Sequence, residues 1–348
     1  MKKAARFHVF FMLATVAMLL ISSCNETRRT TRTDTMADSL MEAVSRARHY
    51  EQLLQLADSF EVSHDLSAVR ANYWRGYTYY HLRQTRTAEI YWEKVLAADV
   101  RDDDADFIYY ATSASRLANL LMMKGDYEST LKVALPVTLE MEVAGRDTLS
   151  DYANLLTAIG GCQLNTGNTK DAAKSYEKSY QHMQQALVND KTGTAYKGGV
   201  IGMIKITDSY LKVQQYDEAW KWLDRFEELL NSYEQHPKAS KDFIDKERAR
   251  LYFYRATAQQ GLGYPKEAAK AYKAALATNY AKTGDGQIEA TTYLMAAKRW
   301  SEAANNFRIL DQQHGKYNMN WSLDHIQRYL LPKYRANLGA HRRDTAIA

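Results

Sequence analysis

The densest set of groups that could do chemistry is the run RDDDAD, Arg101 to Asp106, which crowds four carboxylates into six positions and invites a calcium reading. It lacks the alternating ligands, central glycine and terminal glutamate of an EF-hand loop. Its place just before an apolar-periodic segment suits helix capping and dipole complementation instead. The nine histidines are scattered, with no pair at metal-ligand spacing on one helix face, so no metal is expected. No GxxxxGK[ST], GxGxxG after a strand, HExxH, GxSxG or CxxC occurs. Cys162 stands in a dense apolar pattern, which suits a buried, inert thiol better than a nucleophile. The residues therefore predict no catalytic group and no cofactor, and leave binding as the chemistry to be explained.

The elements that would carry a binding surface are legible as a repeat. Of 348 residues, 46% are hydrophobic and 25% charged, with only four prolines and sixteen glycines, a composition that favours helix over a loop-rich all-β chain. In LTAIGGCQLNTGNTKDAAKSYEKSY, Gly160 is followed by Gly167, Ala172, Tyr176 and Ser179. The same steps recur through Ala256, Gly263, Ala268, Tyr272 and Ala275, and through Ala118, Gly125, Thr130, Ala134 and Val137. They recur again through Gly76, Ala88, Trp92 and Val95, with Arg83 where the turn glycine would stand. Weaker copies pass through Tyr216 to Phe226 and Trp300 to Leu310, and a degenerate first copy through Met41 to Phe60.

Each copy reads as a helix, a short turn and an antiparallel helix, because apolar residues recur at three- and four-residue steps on both sides of the turn. Small residues in both helices let the backbones approach, while Trp92, Tyr176, Tyr272 and Phe307 fill the space beside them. Gly125, Gly167 and Gly263 fall where the first helix must stop, and Pro265 falls at the first position of the next.

These steps resemble the tetratricopeptide repeat, from about Asp34 to Ala348. The resemblance implies an all-α, right-handed solenoid of about seven antiparallel helix pairs over residues 36–348, with the last repeat incomplete. Spacing departs from the 34-residue period around ALVNDKTGTAYKGG and NSYEQHPKASKDFIDKE, where second helices and loops are expected to lengthen. At the C-terminus a new unit begins, turns near His341 to Arg343 and starts a second helix at Thr345. The runs RANYWRGYTYY, ASRLANLLMMKGDYES and YLLPKYRANLGAHRRDTAIA also resemble the extracytoplasmic repeat region of bacterial two-component sensor histidine kinases. None of the kinase's own motifs is present in the sequence.

The cellular address comes from the first 24 residues. Lys2, Lys3 and Arg6 precede an apolar run from Phe7 to Ile21, the layout of a secretory signal over 1–23. The stretch ISSC resembles the bacterial lipobox, which implies lipidation at Cys24, a polar tether over 24–35 and an envelope lipoprotein outside the cytoplasm. Cleavage there removes three basic residues from a formal charge of +5, leaving +2 and no electrostatic case for nucleic acid.

In tetratricopeptide arrays the first helices line the concave face, so exposed positions there are the implied contacts for a protein or peptide ligand. These are Arg70, Tyr73, Tyr77, Tyr80 and His81, then Thr112, Arg116 and Asn119, and later Asn154, Lys205, Asp208, Arg250 and Tyr254. Tyrosine and arginine are favoured at contact hot spots, so Arg70→Ala or Tyr77→Ala is expected to weaken binding without changing stability. The Lys and Asn arrangement with which some family members clamp a terminal carboxylate is not reproduced, which argues against binding of a chaperone's tail. The expected function is a non-catalytic scaffold, with a kinase's sensory region and a nutrient-capturing surface lipoprotein as alternatives.

Overall fold

The computed structural model describes residues 36–100, 103–313 and 325–343. The expected signal, Cys24, the tether and the helix starting at Thr345 lie outside them. The described residues are helical and contain no strand. They form α1 (residues 36–46), α2 (Tyr50–Val62), α3 (Ala68–His81), α4 (Thr85–Leu96), α5 (Asp104–Lys124), α6 (Tyr127–Val143), α7 (Ser150–Asn165) and α8 (Thr169–Leu187). After these come α9 (Thr194–Lys212), α10 (Tyr216–Glu234), α11 (Lys241–Gly261), α12 (Pro265–Leu276), α13 (Gly284–Ala296) and α14 (Trp300–Gln312). A π-helical turn (Ile326–Leu330) leads into α15 (Leu331–Gly339). The chain is an all-α solenoid of the expected kind.

One turn joins the two helices of every pair. Arg48, Arg83, Gly125, Gly167, Gln214, Gly263, Lys298 and His341 all have positive φ, between 55° and 86°. At Gly167 the amide donates to the Leu164 carbonyl and the next amide, of Asn168, to Gln163. This double bond pattern is the Schellman ending, which satisfies carbonyls that a helix terminus leaves unpaired. It repeats at Arg83 and Gln84, at Gln214 and Gln215, and at the other five turns. Intervals between turns run from 35 residues (Arg48 to Arg83) to 49 (Gln214 to Gly263), so the joint is kept while the helices around it change length.

The small-residue template has a direct packing cause. A Cβ on Gly160 would meet the Tyr176 ring at 2.7 Å, and one on Gly76 would meet Trp92 at 2.5 Å. Trp92 and Tyr176 are buried, each lying across the backbone of the preceding helix. Caps fix the helix starts: the side chains of Ser67, Asp126, Asn168 and Ser240 each accept the amide three residues on.

The chain divides into two compact units, up to Ser113 and from Ala114, with the boundary inside α5. The first unit buries Met41, Leu53, Ala57, Trp74 and Trp92. In the second, α8, α10, α12 and α14 each pack on their own first helix and on the next one, and α6 packs on α7, while first helices pack on one another in the order α7, α9, α11, α13. The side chain of Gln327 contacts the carbonyl of Met123 at the end of α5, so this first-helix layer curves back on itself.

Candidate functional site

The first helices position all thirteen expected contact residues, but the two units use them differently. In the first unit Arg70 is 5% exposed, and Tyr73 is buried as well. Arg70 Nε donates to Asp106 Oδ1 at 2.7 Å and Nη1 to Asp38 Oδ2 at 3.1 Å. Asp106 also accepts from Ser67 Oγ at 2.8 Å, and Tyr109 donates to Asp38 at 2.8 Å. The expected exposure of Arg70 and Tyr73 is therefore corrected: both are internal, because one guanidinium ties α1, α3 and α5 together. Burial pushes the Asp38 carboxyl up, against the opposing pull of Tyr109 and Arg70. Burial, with Asp38 beside it, likewise pushes the Tyr109 phenol up.

Tyr77, Tyr80 and His81 are half-buried in an aromatic stack. His81 lies 4.4 Å from Tyr77 and stacks at 5.0 Å on Tyr50 of α2, so these rings join successive helices rather than standing alone. Thr112 donates back to the Ile108 carbonyl within α5.

In the second unit Arg116, Asn119, Asn154, Lys205, Asp208, Arg250 and Tyr254 are half-buried on the first-helix layer. Arg250 bonds Glu289 of α13 at 2.5 Å and Glu247 at 2.6 Å. Burial works against its charge, but Glu289 and Glu247 outweigh it and raise the guanidinium above its ordinary value. Glu289 also accepts from Tyr280 at 3.1 Å and pairs with Arg328 at 3.5 Å. Asp208 pairs with Lys212 at 2.6 Å. The Tyr254 phenol is pushed well up by burial, with the Asp208 carboxylate adding to it.

Lys205 differs from these. Its Nζ donates to Asn119 Oδ1, two repeats earlier, at 3.0 Å. Asn119 is held in turn by donating to the Ser115 carbonyl at 2.6 Å. Burial pushes the Lys205 ammonium below its ordinary value, opposed by Asp151. The sequence reading gave Lys205 and Asn119 as separate contacts, and the curvature of the layer makes them one site.

Asp38, Asp106, Glu247 and Glu289 are the partners that sequence reasoning missed. A signal exists: Asp38 and Asp106 lie 32 and 36 residues from Arg70, and Glu289 lies 39 from Arg250. Opposite charges one repeat apart on first helices are neighbours in space. The acidic run acts as expected at its visible end, where Asp103 accepts the amides of Ala105 and Asp106. Cys162 is buried, which pushes its thiol up to about 11. Among the described residues no group of three or more His, Cys, Asp or Glu could hold a metal ion. No described helix is long and apolar enough to cross a membrane.

No family model matches the chain, and no curated protein matches its sequence. Among solved structures, the crystal structure of the apo form of RapI is similar, with a TM-score of 0.53 at 14% identity. The match covers 89% of this chain and 99% of that one, and both are helical-repeat folds.

Proposed function

We propose that the chain is a non-catalytic scaffold that binds a protein or peptide on the first-helix layer of its second unit. The observation that carries this reading is the band of half-buried polar side chains, Asn119, Asn154, Lys205, Asp208 and Tyr254, drawn from α5, α7, α9 and α11 onto one curved layer. Water reaches these groups and protein surrounds them, the setting in which a ligand's polar groups gain most by replacing solvent. The likeness to RapI supports a helical-repeat binding architecture.

We place the scaffold outside the cytoplasm and attach it to a membrane through lipid on Cys24, on the strength of the basic leader, apolar run and ISSC sequence. The sequence likeness to sensor-kinase repeat regions supports a second reading, in which the layer is a sensory input. Fatty-acid labelling and the native mass in an envelope fraction separate these: a labelled species of the chain's own size favours the lipoprotein, and a much larger one the kinase.

Binding itself is tested with a photo-crosslinking residue placed at Asn154 or at Lys174, which stands on the outer helix α8. Adducts from Asn154 and none from Lys174 support the layer as the contact face. Equal yields, or adducts from Lys174 alone, overturn it.

A further inference from the structure

The two stretches that break the repeat spacing pack on each other. Between α8 and α9, the Asp190 carboxylate accepts the amides of Thr192, Gly193, Ala195 and Tyr196 at 2.8 to 3.2 Å. The Asp190 carbonyl accepts from His236 Nε2 at 3.2 Å, in the connection between α10 and α11. That connection is fixed in turn, because His236 Nδ1 accepts the Lys238 amide at 3.1 Å and the Tyr233 hydroxyl accepts the Ser240 amide at 3.0 Å. The connection between α12 and α13 joins the row, since Asp245 of α11 accepts the amides of Asn279 and Tyr280 at 3.3 and 2.8 Å. Three successive connections therefore make one fixed edge of the second unit, at the helix ends away from the turns at Gly167, Gln214 and Gly263.

Lysine gathers on this edge. Lys191, Lys238, Lys241 and Lys282 are exposed, while Lys197 and Lys246 lie over the rings of Phe243 and Tyr280 at 5.7 and 5.8 Å. Of the carboxylates there, Asp190 and Asp245 hold backbone amides and Glu234 pairs with Arg248, which leaves Asp242 and Asp285 exposed. Among the described residues no carboxylate lies within salt-bridge distance of Lys191, Lys238, Lys241 or Lys282. The opposite edge is arranged differently: just past the turns, Lys174 pairs with Asp171, Lys221 with Glu218 and Arg299 with Glu302.

An unpaired row of ammonium groups contributes nothing to holding the fold, but it raises the local potential and draws anions. Lysine is a compact point charge that asks for no planar partner, and neighbouring helices space the row at about 8–10 Å per step. A surface of singly charged headgroups matches such a row. Val188, 79% exposed at the end of α8, and the exposed Pro237 stand on the same edge. A lipid interface accommodates apolar groups beside lysines, which a glycan does not.

We infer that this edge of the second unit docks on an anionic lipid surface, with Lys191, Lys238 and Lys241 facing the headgroups. The contact is additional to lipid on Cys24 and does not depend on it.

The test uses the full chain and vesicles of phosphatidylcholine, alone or mixed with phosphatidylglycerol, with binding read by co-sedimentation. The wild type is expected to prefer the phosphatidylglycerol vesicles, and to lose the preference at about 1 M salt, where charges are screened beyond about 3 Å. Each lysine near an anionic surface contributes about fivefold, so Lys191→Gln, Lys238→Gln and Lys241→Gln together should lower the preference about a hundredfold. Lys170→Gln, Lys266→Gln and Lys298→Gln, three exposed changes at the opposite edge, should leave most of it. A wild type without preference, a preference that survives the first triple change, or equal losses from both triples overturns the docking edge.

A photo-crosslinking residue in the otherwise unaltered chain gives a second reading that needs no charge change. Placed at Pro237 it should form lipid adducts on phosphatidylglycerol vesicles, and placed at Lys170 it should not. No adducts at Pro237, or equal adducts at both, overturns the proposal even where the chain is held on the vesicle by its N-terminus. Retention on heparin without vesicle preference would assign the edge to a polyanionic glycan and overturn the lipid assignment.

Discussion

The Trp92 indole occupies the space that a Cβ on Gly76 would need, 2.5 Å from Nε1, so the ring lies directly against the α3 backbone. Gly76→Ala therefore forces either the ring or the helix to move. Overpacking of this kind costs about 1–3 kcal/mol, and urea unfolding of the variant should lose stability in that range. The partner change Trp92→Leu should recover part of the loss in the double variant, because it vacates the same volume.

Gly167 presents the opposite case, since a Cβ there has nothing within 4 Å and φ is +86°. Gly167→Ala should cost about 1–2 kcal/mol from backbone strain alone. Arg83 holds the same turn position at φ 66°, so Arg83→Gly should be neutral or stabilise by up to about 1 kcal/mol. Thermal melts of the pair would show opposite signs.

Arg70 is the hub of a buried ion cluster, and removing it leaves Asp38 and Asp106 without their cation. Arg70→Met should destabilise the first unit by about 3–5 kcal/mol, the range for breaking a buried pair from one side. Hydrogen exchange at α1 and α3 reads this locally. A variant that melts like the wild type would mean that the Arg70 cluster does not hold the first unit together.

Asp190 supplies a pH signature. Burial pushes its carboxyl up, but the Thr192 amide and hydroxyl and the Tyr196 and Ala195 amides outweigh burial and hold it at about 2. A folded value below the ordinary carboxylate range near about 4 contributes stability that is present above that range and is lost as pH falls towards about 2. Asp190→Asn should cost about 1 kcal/mol at neutral pH, as for a lost cap. The difference from wild type should shrink through the window from pH ~4 to ~2, measured by urea unfolding.

Much of the fold was legible because its repeated constraints are local. Gly160 with Tyr176, Gly76 with Trp92, and the turn glycines at 125, 167 and 263 each need a particular residue type, and that need leaves a mark at fixed spacing. Gln214 and Lys298 left no such mark, because the turn tolerates a left-handed non-glycine residue when its bonds are satisfied. The site was less legible. Arg70 reads as an exposed hot-spot residue until Asp38 and Asp106, one repeat away on either side, are brought against it. Lys205 and Asn119 are 86 residues apart, and only the curvature of the layer brings them together.

The recurring turn has a consequence for divergence. Its two hydrogen bonds run from backbone to backbone, so side chains at and around the joint can be exchanged over long descent while the angle between helices persists. A chain built this way can exchange most of its letters and keep the angle at each joint, so the helical-repeat fold it shares with RapI at 14% identity asks little of any one side chain.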